Sequence, residues 1–332
     1  MRTIHILLLT LLLWTNSVAG KNLQKEPLDF IRFKSWGVDQ SVSSSINLEP
    51  VLKRLRNKKN IIVGVVDTGI DSKHPYLKDS VLGKYDFSGD KGAINGEDGH
   101  GHGTHVSGIV KSVYPGVKII AYKYYNPRHS GVESLDATLA ALEKAIDMNV
   151  DIINYSGGGP ESSLKELRIL KKAEKKGILV VCAAGNESSN IDEKENAFYP
   201  ASYGLSNIIS VTAHNQELQI LGSSNYGRGS VDISAPGYRI RGPLPNNRSG
   251  YLTGTSQATA FVSGVAAMLM ANFPHLNPMQ VKQIILNSAR KETSFAVFNS
   301  TSGRLDATRA YEMAERGGRG LAFTKNKKMI QK

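Results

Sequence analysis

The chain has 332 residues, 40% of them hydrophobic, and is long enough for one large globular domain or two ordinary ones. Its single cysteine excludes an internal disulfide, so the core must hold the fold together without cross-links. The formal net charge of +12 comes from short basic runs without aromatic interleaving or a nucleic-acid motif, which indicates solvated faces rather than a nucleic-acid site.

Residues 1–20 have the pattern of a secretory signal peptide. One basic residue, Arg2, precedes an apolar run over 6–14, and the segment closes on the small residues Ser17 and Ala19. The run is too short to cross a bilayer, and no later stretch reaches the ~18 consecutive apolar residues that a spanning helix needs. We therefore expect removal of the signal and a secreted or periplasmic protein without a membrane span.

Secondary structure is predicted from hydrophobic periodicity. Runs rich in β-branched residues predict strands at 61–66, 117–122, 150–154, 178–182 and 208–212. Helical spacing predicts one helix from about Thr104, others over 135–146, 164–173 and 258–271, and a last one with Asn277 as N-cap and Pro278 in its first turn. Apolar strands that alternate with helices are typical of an α/β fold, in which helices cover both faces of a parallel sheet.

The domain organisation is predicted to be simple, because no repeat, low-complexity linker or mid-chain boundary divides the sequence. We expect a short N-terminal extension over 21–34 and one domain over 35–315. The basic stretch 316–332 is predicted to be a disordered tail, with a tether to an anionic surface as the alternative. Cys182 falls within the fourth predicted strand, where a buried structural thiol is favoured over a nucleophile.

Three polar residues stand at the ends of predicted elements, where parallel sheets collect their chemistry. Asp67 follows the first strand, Asn186 follows the fourth, and Ser256 precedes the long apolar helix, whose free backbone N–H groups can stabilise an anion. Each residue also has an ordinary structural interpretation, as a turn aspartate, a turn asparagine and a helix-capping serine.

The stretch "EDGHGHGTHVSGIV" at 97–110 brings His100, His102 and His105 into six positions. This spacing is compatible with a metal site, and the stretch alone does not single out one histidine for another role. Nucleophilic catalysis by serine is a second chemistry that uses histidine. A serine hydroxyl becomes a nucleophile when a histidine accepts its proton, that histidine needs a carboxylate to fix its tautomer, and the oxyanion needs hydrogen-bond donors.

Four blocks of the sequence, "VVDTGID", "HGTHVSGI", "AAGN" and "GTSQATA", resemble the signature blocks of the subtilisin-like serine proteases (subtilases, peptidase family S8). They also occur in that family's order of Asp, His, Asn and Ser. The resemblance runs from about residue 61 to residue 269. It implies a three-layer subtilisin-like fold with a central, mainly parallel sheet, and a peptidase domain over 35–315.

The resemblance assigns a role to one polar residue in each block. Ser256 is expected to be the nucleophile and His102 the general base and then the general acid. Asp67 is expected to orient His102. The side chain of Asn186 and the Ser256 amide are expected to form the oxyanion hole.

A fifth block, "NYSGGGP" at 154–160, resembles the segment that pairs with an extended substrate in this family. Contacts to substrate are therefore expected from Ser156, Gly157 and Gly158, through backbone groups that add the peptide as a strand. His105 matches a position that the family also fills with histidine, and structural support is its expected role. His100 has no counterpart and is expected to lie exposed on its loop.

The departures from the family pattern are also informative. Ala260 stands where proline is common, which could move the Ser256 hydroxyl slightly. Gly157 stands where leucine is common, which puts in doubt a strong preference for large apolar groups four positions before the scissile bond. Tyr76 replaces a calcium-binding aspartate and no insertion follows the histidine helix, so we expect this calcium site to be lost and assign no metal or cofactor.

The sequence therefore predicts a secreted serine endopeptidase that hydrolyses extended polypeptides through an acyl-enzyme on Ser256. It is expected to be a monomer and to bind no nucleic acid. Two alternatives remain: a catalytically silent binding protein on the protease scaffold, if Ala260 distorts the site, and an acyl transferase or peptide ligase, which would differ only in its loops.

Overall fold

The computed structural model describes residues 35–89 and 96–317. The predicted signal peptide 1–20, the predicted extension 21–34 and residues 318–332 of the predicted tail lie outside the described residues. Within the described ranges, no helix has both the length and the apolar character needed to pass through a bilayer.

The strands of the described chain form one large sheet and one hairpin. In chain order they are β1 Ile62–Asp67, β2 Val81–Asp86, β3 Lys118–Lys123, β4 Ile152–Tyr155, β5 Leu179–Ala183, β6 Ile208–His214, β7 Ile233–Pro236, β8 Ile240–Leu244, β9 Arg248–Leu252, β10 Arg290–Lys291 and β11 Gly303–Arg304. The nine-stranded sheet has the order β10-β11-β7-β6-β5-β4-β1-β3-β2, and β8 pairs with β9. All neighbours in the sheet are parallel except β10 and β11.

Alternate side chains of the central strands enter two separate cores, as the period of two in a strand requires. In β1, Val63 and Val65 belong to one buried cluster and Val66 to the other. In β5, Val181 belongs to the same cluster as Val63, and Cys182 belongs to the same cluster as Val66. Because both faces of the sheet carry apolar side chains, both must be covered, and Cys182 is a buried thiol as predicted.

Helices cover both faces of the sheet. In chain order they are α1 Glu49–Leu52, α2 His102–Val113, α3 Gly131–Asp147, α4 Leu164–Lys175, α5 Thr255–Asn272, α6 Pro278–Asn287 and α7 Ala307–Glu315. Buried residues of α3 and α4 pack in one core, and those of α2, α5, α6 and α7 pack in the other. The predicted α/β fold, with three layers and a mainly parallel sheet, is confirmed.

The predicted elements agree with the structure in kind and differ in their limits. The five predicted strands correspond to β1, β3, β4, β5 and β6, with limits displaced by zero to two residues. Leu135 and Leu164, which the periodicity placed on apolar faces, are 36% and 72% exposed, because the buried apolar faces of α3 and α4 begin only at Ala137 and Ile169. Asn277 caps α6 and Pro278 opens it, as expected.

The helix α5 is buried along its whole length, which places its first residues firmly against the sheet. Its polar Ser263 donates a hydrogen bond to Asn154 Oδ1 in β4 at 2.8 Å, so this buried hydroxyl keeps a partner. Where α5 meets α2, Gly264 allows close approach: an added Cβ would lie 2.6 Å from Val113 Cβ and 3.1 Å from the backbone oxygen of Val110. The contact between the two helices therefore requires glycine at this position.

We predict that Gly264→Val lowers the free energy of unfolding by about 2–3 kcal/mol, because the added side chain overpacks the contact between α2 and α5. Gly131→Ala is the matched control, since Gly131 is the first residue of α3 and an added Cβ meets no atom within 4 Å. The control is expected to range from no change to about 1 kcal/mol of stabilisation. Urea unfolding measures both values, and equal midpoints would contradict the prediction.

Candidate active site

The candidate site lies at the carboxyl edge of the sheet, beside β1. In the sheet β1 lies between β3 and β4. The chain forms β2 and β3 on one side of β1 and then crosses to β4 on the other side, and such a switch of direction creates a crevice outside the strand ends. Asp67 is the last residue of β1 and is 3% exposed. One carboxylate oxygen, Oδ1, accepts hydrogen bonds from the Thr68 amide and from His102 Nδ1, each at 2.7 Å.

His102 is the first residue of α2, so the start of this helix determines where its ring lies. Its bond to Asp67 requires the proton on Nδ1, which leaves Nε2 as the acceptor of the neutral ring. Burial opposes the charged form of the ring, but the charge and the hydrogen bond of Asp67, with a smaller contribution from Asp98, outweigh this effect. The net result is a pKa of His102 above its ordinary value of 6.5.

The three histidines of the loop have different environments. His105 is fully buried, with Nε2 2.9 Å from the backbone oxygen of Ile240, and burial together with the charge of His102 lowers its pKa to about 3. His100 is exposed, and its ring centroid lies 5.3 Å from that of Tyr125 and 6.4 Å from that of His102. No group of three or more His, Cys, Asp or Glu side chains that could hold a metal ion occurs within 35–89 and 96–317.

Ser256 is the second residue of α5 and is 7% exposed. Its hydroxyl donates to the backbone oxygen of Ser156 at 3.2 Å. Among the described residues, no hydrogen bond joins Ser256 to His102. The structure therefore brings the predicted nucleophile to the substrate-pairing segment, where its hydroxyl bonds to Ser156 and not to the predicted base.

Asn186 lies exposed on the loop after β5, and Thr255 determines the orientation of its carboxamide. Asn186 Oδ1 accepts from the Thr255 amide at 3.0 Å and from Thr255 Oγ1 at 3.2 Å. Because the oxygen is held by these two donors, the NH₂ group is left to donate elsewhere. The amide of the neighbouring Ser256 is one of the first N–H groups of α5, where partial positive charge accumulates.

The segment after β4 contains the predicted substrate contacts Ser156, Gly157 and Gly158. A Cβ at Gly157 would lie 2.3 Å from the Tyr124 hydroxyl, so a larger residue there would have to displace that side chain. A Cβ at Gly158 would lie 2.4 Å both from Phe198 Cε1 and from the backbone oxygen of Tyr199, so glycine is required at Gly158. Ser156 accepts a hydrogen bond from Asn154 Nδ2 at 3.0 Å. The three residues thus lie in a tightly packed wall whose backbone runs beside Ser256.

Two residues of the site were missed by the sequence analysis. Asp98 is 5% exposed and accepts hydrogen bonds from the loop and helix that carry His102. Phe198 is 9% exposed, and its ring lies between Gly158 and Gly185. Asp98 stands four residues before His102, where an acidic side chain close to a helix start could have indicated a capping role. No sequence signal points to Phe198, because its position depends on a distant loop.

Tyr76, which stands where the family has a calcium-binding aspartate, has a lysine beside its ring. Tyr76 is 2% exposed, and Lys111 Nζ from α2 lies 5.2 Å from the centroid of its ring. An ammonium group beside an aromatic face, here that of the half-buried Lys111, is stabilised by a cation–π interaction. A positive charge at this place repels a second cation.

Comparison with known proteins agrees with the fold. Residues 58–308 match the model of the subtilase family. The chain is 37% identical over 223 residues to the major intracellular serine protease of Bacillus subtilis, covering 64% of this chain and 68% of the relative. It is 35% identical over 239 residues to subtilisin DY of Bacillus licheniformis, covering 69% and 84%, and to subtilisin E of Bacillus subtilis, covering 69% and 60%.

The match to this family and the similarity to named serine proteases confirm the predicted class of enzyme, a serine endopeptidase. The chain belongs to the subtilase family. Its substrates are accordingly polypeptides.

We predict that His102 titrates above pH 6.5 while His105 and His214 remain neutral down to about pH 4, because burial lowers the pKa of each of the last two to about 3. Asp67→Asn is expected to lower the pKa of His102, since it removes the opposing charge and weakens the hydrogen bond. Histidine-ring NMR spectra recorded against pH measure all three titrations.

The control for this experiment is Asp192→Asn, which removes a carboxylate that binds the backbone amides of Gly229 and Ser230. It should leave the His102 titration unchanged. An Asp67→Asn protein in which His102 titrates at the parent's pH would show that Asp67 does not determine the protonation of the ring.

Proposed function

We propose that the protein is a serine endopeptidase in which Ser256 attacks the peptide carbonyl, His102 transfers the proton and Asp67 orients His102. The observation that carries this proposal is the 2.7 Å hydrogen bond between Asp67 Oδ1 and His102 Nδ1, at the sheet edge where Ser256 also lies. This bond leaves Nε2 of the neutral ring able to accept a proton.

The first step requires the Ser256 hydroxyl to turn from the Ser156 oxygen towards His102 Nε2. A substrate that pairs with the segment 156–158 engages the backbone beside Ser156 and supports this rotation. His102 then accepts the proton as Ser256 Oγ bonds to the carbonyl carbon, and it returns the proton to the leaving amine. Water then attacks the acyl-enzyme: His102 accepts the proton of the water and returns it to Ser256 Oγ as the acid product leaves.

The negative charge that develops on the carbonyl oxygen is stabilised by two donors, Asn186 Nδ2 and the Ser256 amide. Thr255 supports this role, since it holds Asn186 Oδ1 and turns the NH₂ group away from itself. Both donors are in place before reaction, and so they stabilise the transition state without reorganisation. The start of α5 adds a favourable dipole at the same point.

Activity is expected to require a neutral His102. Because the charge and hydrogen bond of Asp67 raise the pKa of His102 above 6.5, activity falls as the pH drops through that raised value and is full above it.

We further propose that the peptidase domain spans 35–315, that residues 1–20 direct it out of the cytoplasm and that it acts as a monomer. The apolar run over 6–14 supports export. Two relatives of similar identity are named intracellular proteases. The domain limits are supported by α7, whose residues pack in the main core up to Ala314.

The silent-scaffold alternative required a distortion caused by Ala260. Ala260 is fully buried within α5, which runs without a break from Thr255 to Asn272, and this regularity favours an undistorted Ser256. The transferase alternative uses the same acyl-enzyme and differs only in which nucleophile reaches it. Analysis of the products formed with a competing amine distinguishes hydrolysis from transfer.

We predict that a fluorophosphonate probe labels the native protein and fails to label Ser256→Ala, because only an activated serine reacts with it. Asn186→Ala is expected to lower kcat by ~100- to 1,000-fold with little change in KM, since it removes one oxyanion donor. Circular dichroism confirms folding of both variants. Labelling that persists in Ser256→Ala would assign the nucleophile to another residue.

Phe198 suggests a preference for substrates with small side chains at the cleavage site. Its ring lies between the loops that follow β4 and β5: a Cβ at Gly158 would be 2.4 Å from Phe198 Cε1, and one at Gly185 would be 3.1 Å from Phe198 Cδ2. These loops carry the proposed substrate wall and the oxyanion donor. A substrate side chain that enters between them therefore meets the Phe198 ring.

We predict that Phe198→Ala raises kcat/KM for peptides with Phe or Leu on the acyl side of the scissile bond, relative to Ala, by ~10-fold or more, since it enlarges the cavity. The control is Phe298→Ala, because Phe298 packs on Tyr226 with ring centroids 5.2 Å apart. Cleavage of a peptide library gives both profiles. An unchanged ratio in Phe198→Ala would place the substrate side chain elsewhere.

A further inference from the structure

Asp98 is the most heavily hydrogen-bonded carboxylate near the site. Its Oδ1 accepts from Thr68 Oγ1 at 2.8 Å, from the His100 amide at 3.0 Å and from the Gly101 amide at 2.7 Å. Its Oδ2 accepts from the amide and the hydroxyl of Thr104 at 2.8 and 2.7 Å. Asp98 is 5% exposed, so these bonds are shielded from water.

The donors to Asp98 belong to the two segments that carry the Asp67–His102 pair. Thr68 follows Asp67 directly, and its Oγ1 also accepts from the Gly103 amide at 2.9 Å. Thr104 is the third residue of the helix that His102 begins. Asp98 therefore connects the end of β1, the loop before α2 and the first turn of α2 through one side chain.

Asp98 also supplies the capping acceptor that the start of α2 lacks. The residue before the helix is Gly101, with φ of 104° and no side chain to cap the exposed amides. The amides of Gly103 and Thr104 are instead bound by Thr68 Oγ1 and Asp98 Oδ2. A negative charge at this end of a helix is favourable as well, because it opposes the helix dipole.

We propose that Asp98 is a positioning residue, which holds the first turn of α2 so that the His102 ring meets Asp67 in the geometry needed for catalysis. The proposal rests on the proposed function, because its consequence for activity presupposes that His102 is the base. None of the hydrogen bonds of Asp98 reaches the His102 ring itself, and so Asp98 acts through the backbone and through its charge.

The charged and titratable groups around His102 are Asp67 in β1, Asp98 in the loop, His100 in the same loop and His105 in α2. His105 stays neutral at ordinary pH, since burial and the charge of His102 lower its pKa to about 3. The two carboxylates are thus the groups that favour the charged ring. Asp67 contributes most, through direct contact, and Asp98 adds a smaller attraction.

An amide of the same shape cannot replace the carboxylate. All five partners of Asp98 are N–H or O–H groups that donate to it, and an asparagine would turn its NH₂ group towards at least one backbone amide. Asp98→Asn therefore weakens the network while it preserves the volume of the side chain. Two donors facing one another leave a buried amide unpaired.

The experiment compares Asp98→Asn with Glu97→Gln, which removes the same charge one residue away. The Glu97 carboxylate pairs with Lys84 and accepts from Ser72 Oγ at 3.3 Å, and neither partner lies in α2. In Asp98→Asn we expect kcat to fall ~10- to 100-fold with little change in KM, because the base is displaced. We also expect the acid limb of the kcat/KM profile to move to lower pH. Glu97→Gln should retain the kcat, the KM and the acid limb of the parent protein.

Histidine-ring NMR of the same variants in the Ser256→Ala protein tests the positioning without any activity. Asp98→Asn should lower the pKa of His102, and Glu97→Gln should leave it in place. If Asp98→Asn lowers stability while the His102 titration and the acid limb are unchanged, Asp98 is merely structural and the proposal is wrong. If Asp98→Asn shifts the His102 titration but the parent protein itself shows no protease activity, the proposed function fails and the positioning role stands.

Thr68 provides a second test should Asp98→Asn fail to fold. Thr68→Val removes the hydroxyl that joins Asp98 to the Gly103 amide, whereas Thr68→Ser keeps it. We expect Thr68→Val to lower kcat and to shift the His102 titration, and Thr68→Ser to restore both. Equal behaviour of the two variants would overturn the proposal, because the hydroxyl would then have no part in holding α2.

Discussion

The hydrogen bond between Asp67 and His102 is the interaction on which the rest of the site depends. It joins residues 35 positions apart in the chain, the last of β1 and the first of α2. Without this bond, the Asp67 carboxylate and the His102 ring would each be a polar group without its partner at a largely buried position, which costs free energy. The bond fixes the tautomer of His102 and raises its pKa, and both effects favour a ring that accepts a proton at Nε2 and stabilises the charge that follows.

Close packing makes this bond geometrically possible. An added Cβ at Gly103 would lie 2.2 Å from the Gly69 oxygen and 3.2 Å from Asp67 Cβ, so α2 can begin against the turn after β1 only with glycine there. Gly264 plays the corresponding part where α2 packs on α5. The helix that carries His102 and the helix that carries Ser256 are thus held against each other through positions without side chains.

The proposed chemistry follows from where charge is held before a substrate arrives. Asp67 and Asp98 place negative charge beside His102. The start of α5 carries partial positive charge at Ser256, and Asn186 is held next to it through Thr255. The Ser256 hydroxyl remains on the Ser156 oxygen, within the segment that a peptide would pair with. In the proposed mechanism, binding of substrate and activation of the nucleophile therefore involve the same few backbone groups.

Much of this protein can be read from its sequence, because local patterns determine local structure. Periodicity predicted the central strands, the helices and the burial of Cys182, and the four blocks predicted the family and the residues of the site. Strand ends met at one sheet edge because parallel strands share their direction. The roles predicted for those residues stay predictions, supported most directly by the bond from Asp67 to His102.

The tertiary structure alone decided which partners those residues have. The three histidines of 97–110 look alike in the sequence, and they differ only because His105 lies against the backbone of Ile240, His102 against Asp67 and His100 beside Tyr125. The hydrogen bonds of Asp98 and the position of Phe198 between two loops could likewise not be predicted from the sequence. Contacts between residues distant in the chain, and the burial that sets their pKa values, arise only when the sheet and helices pack.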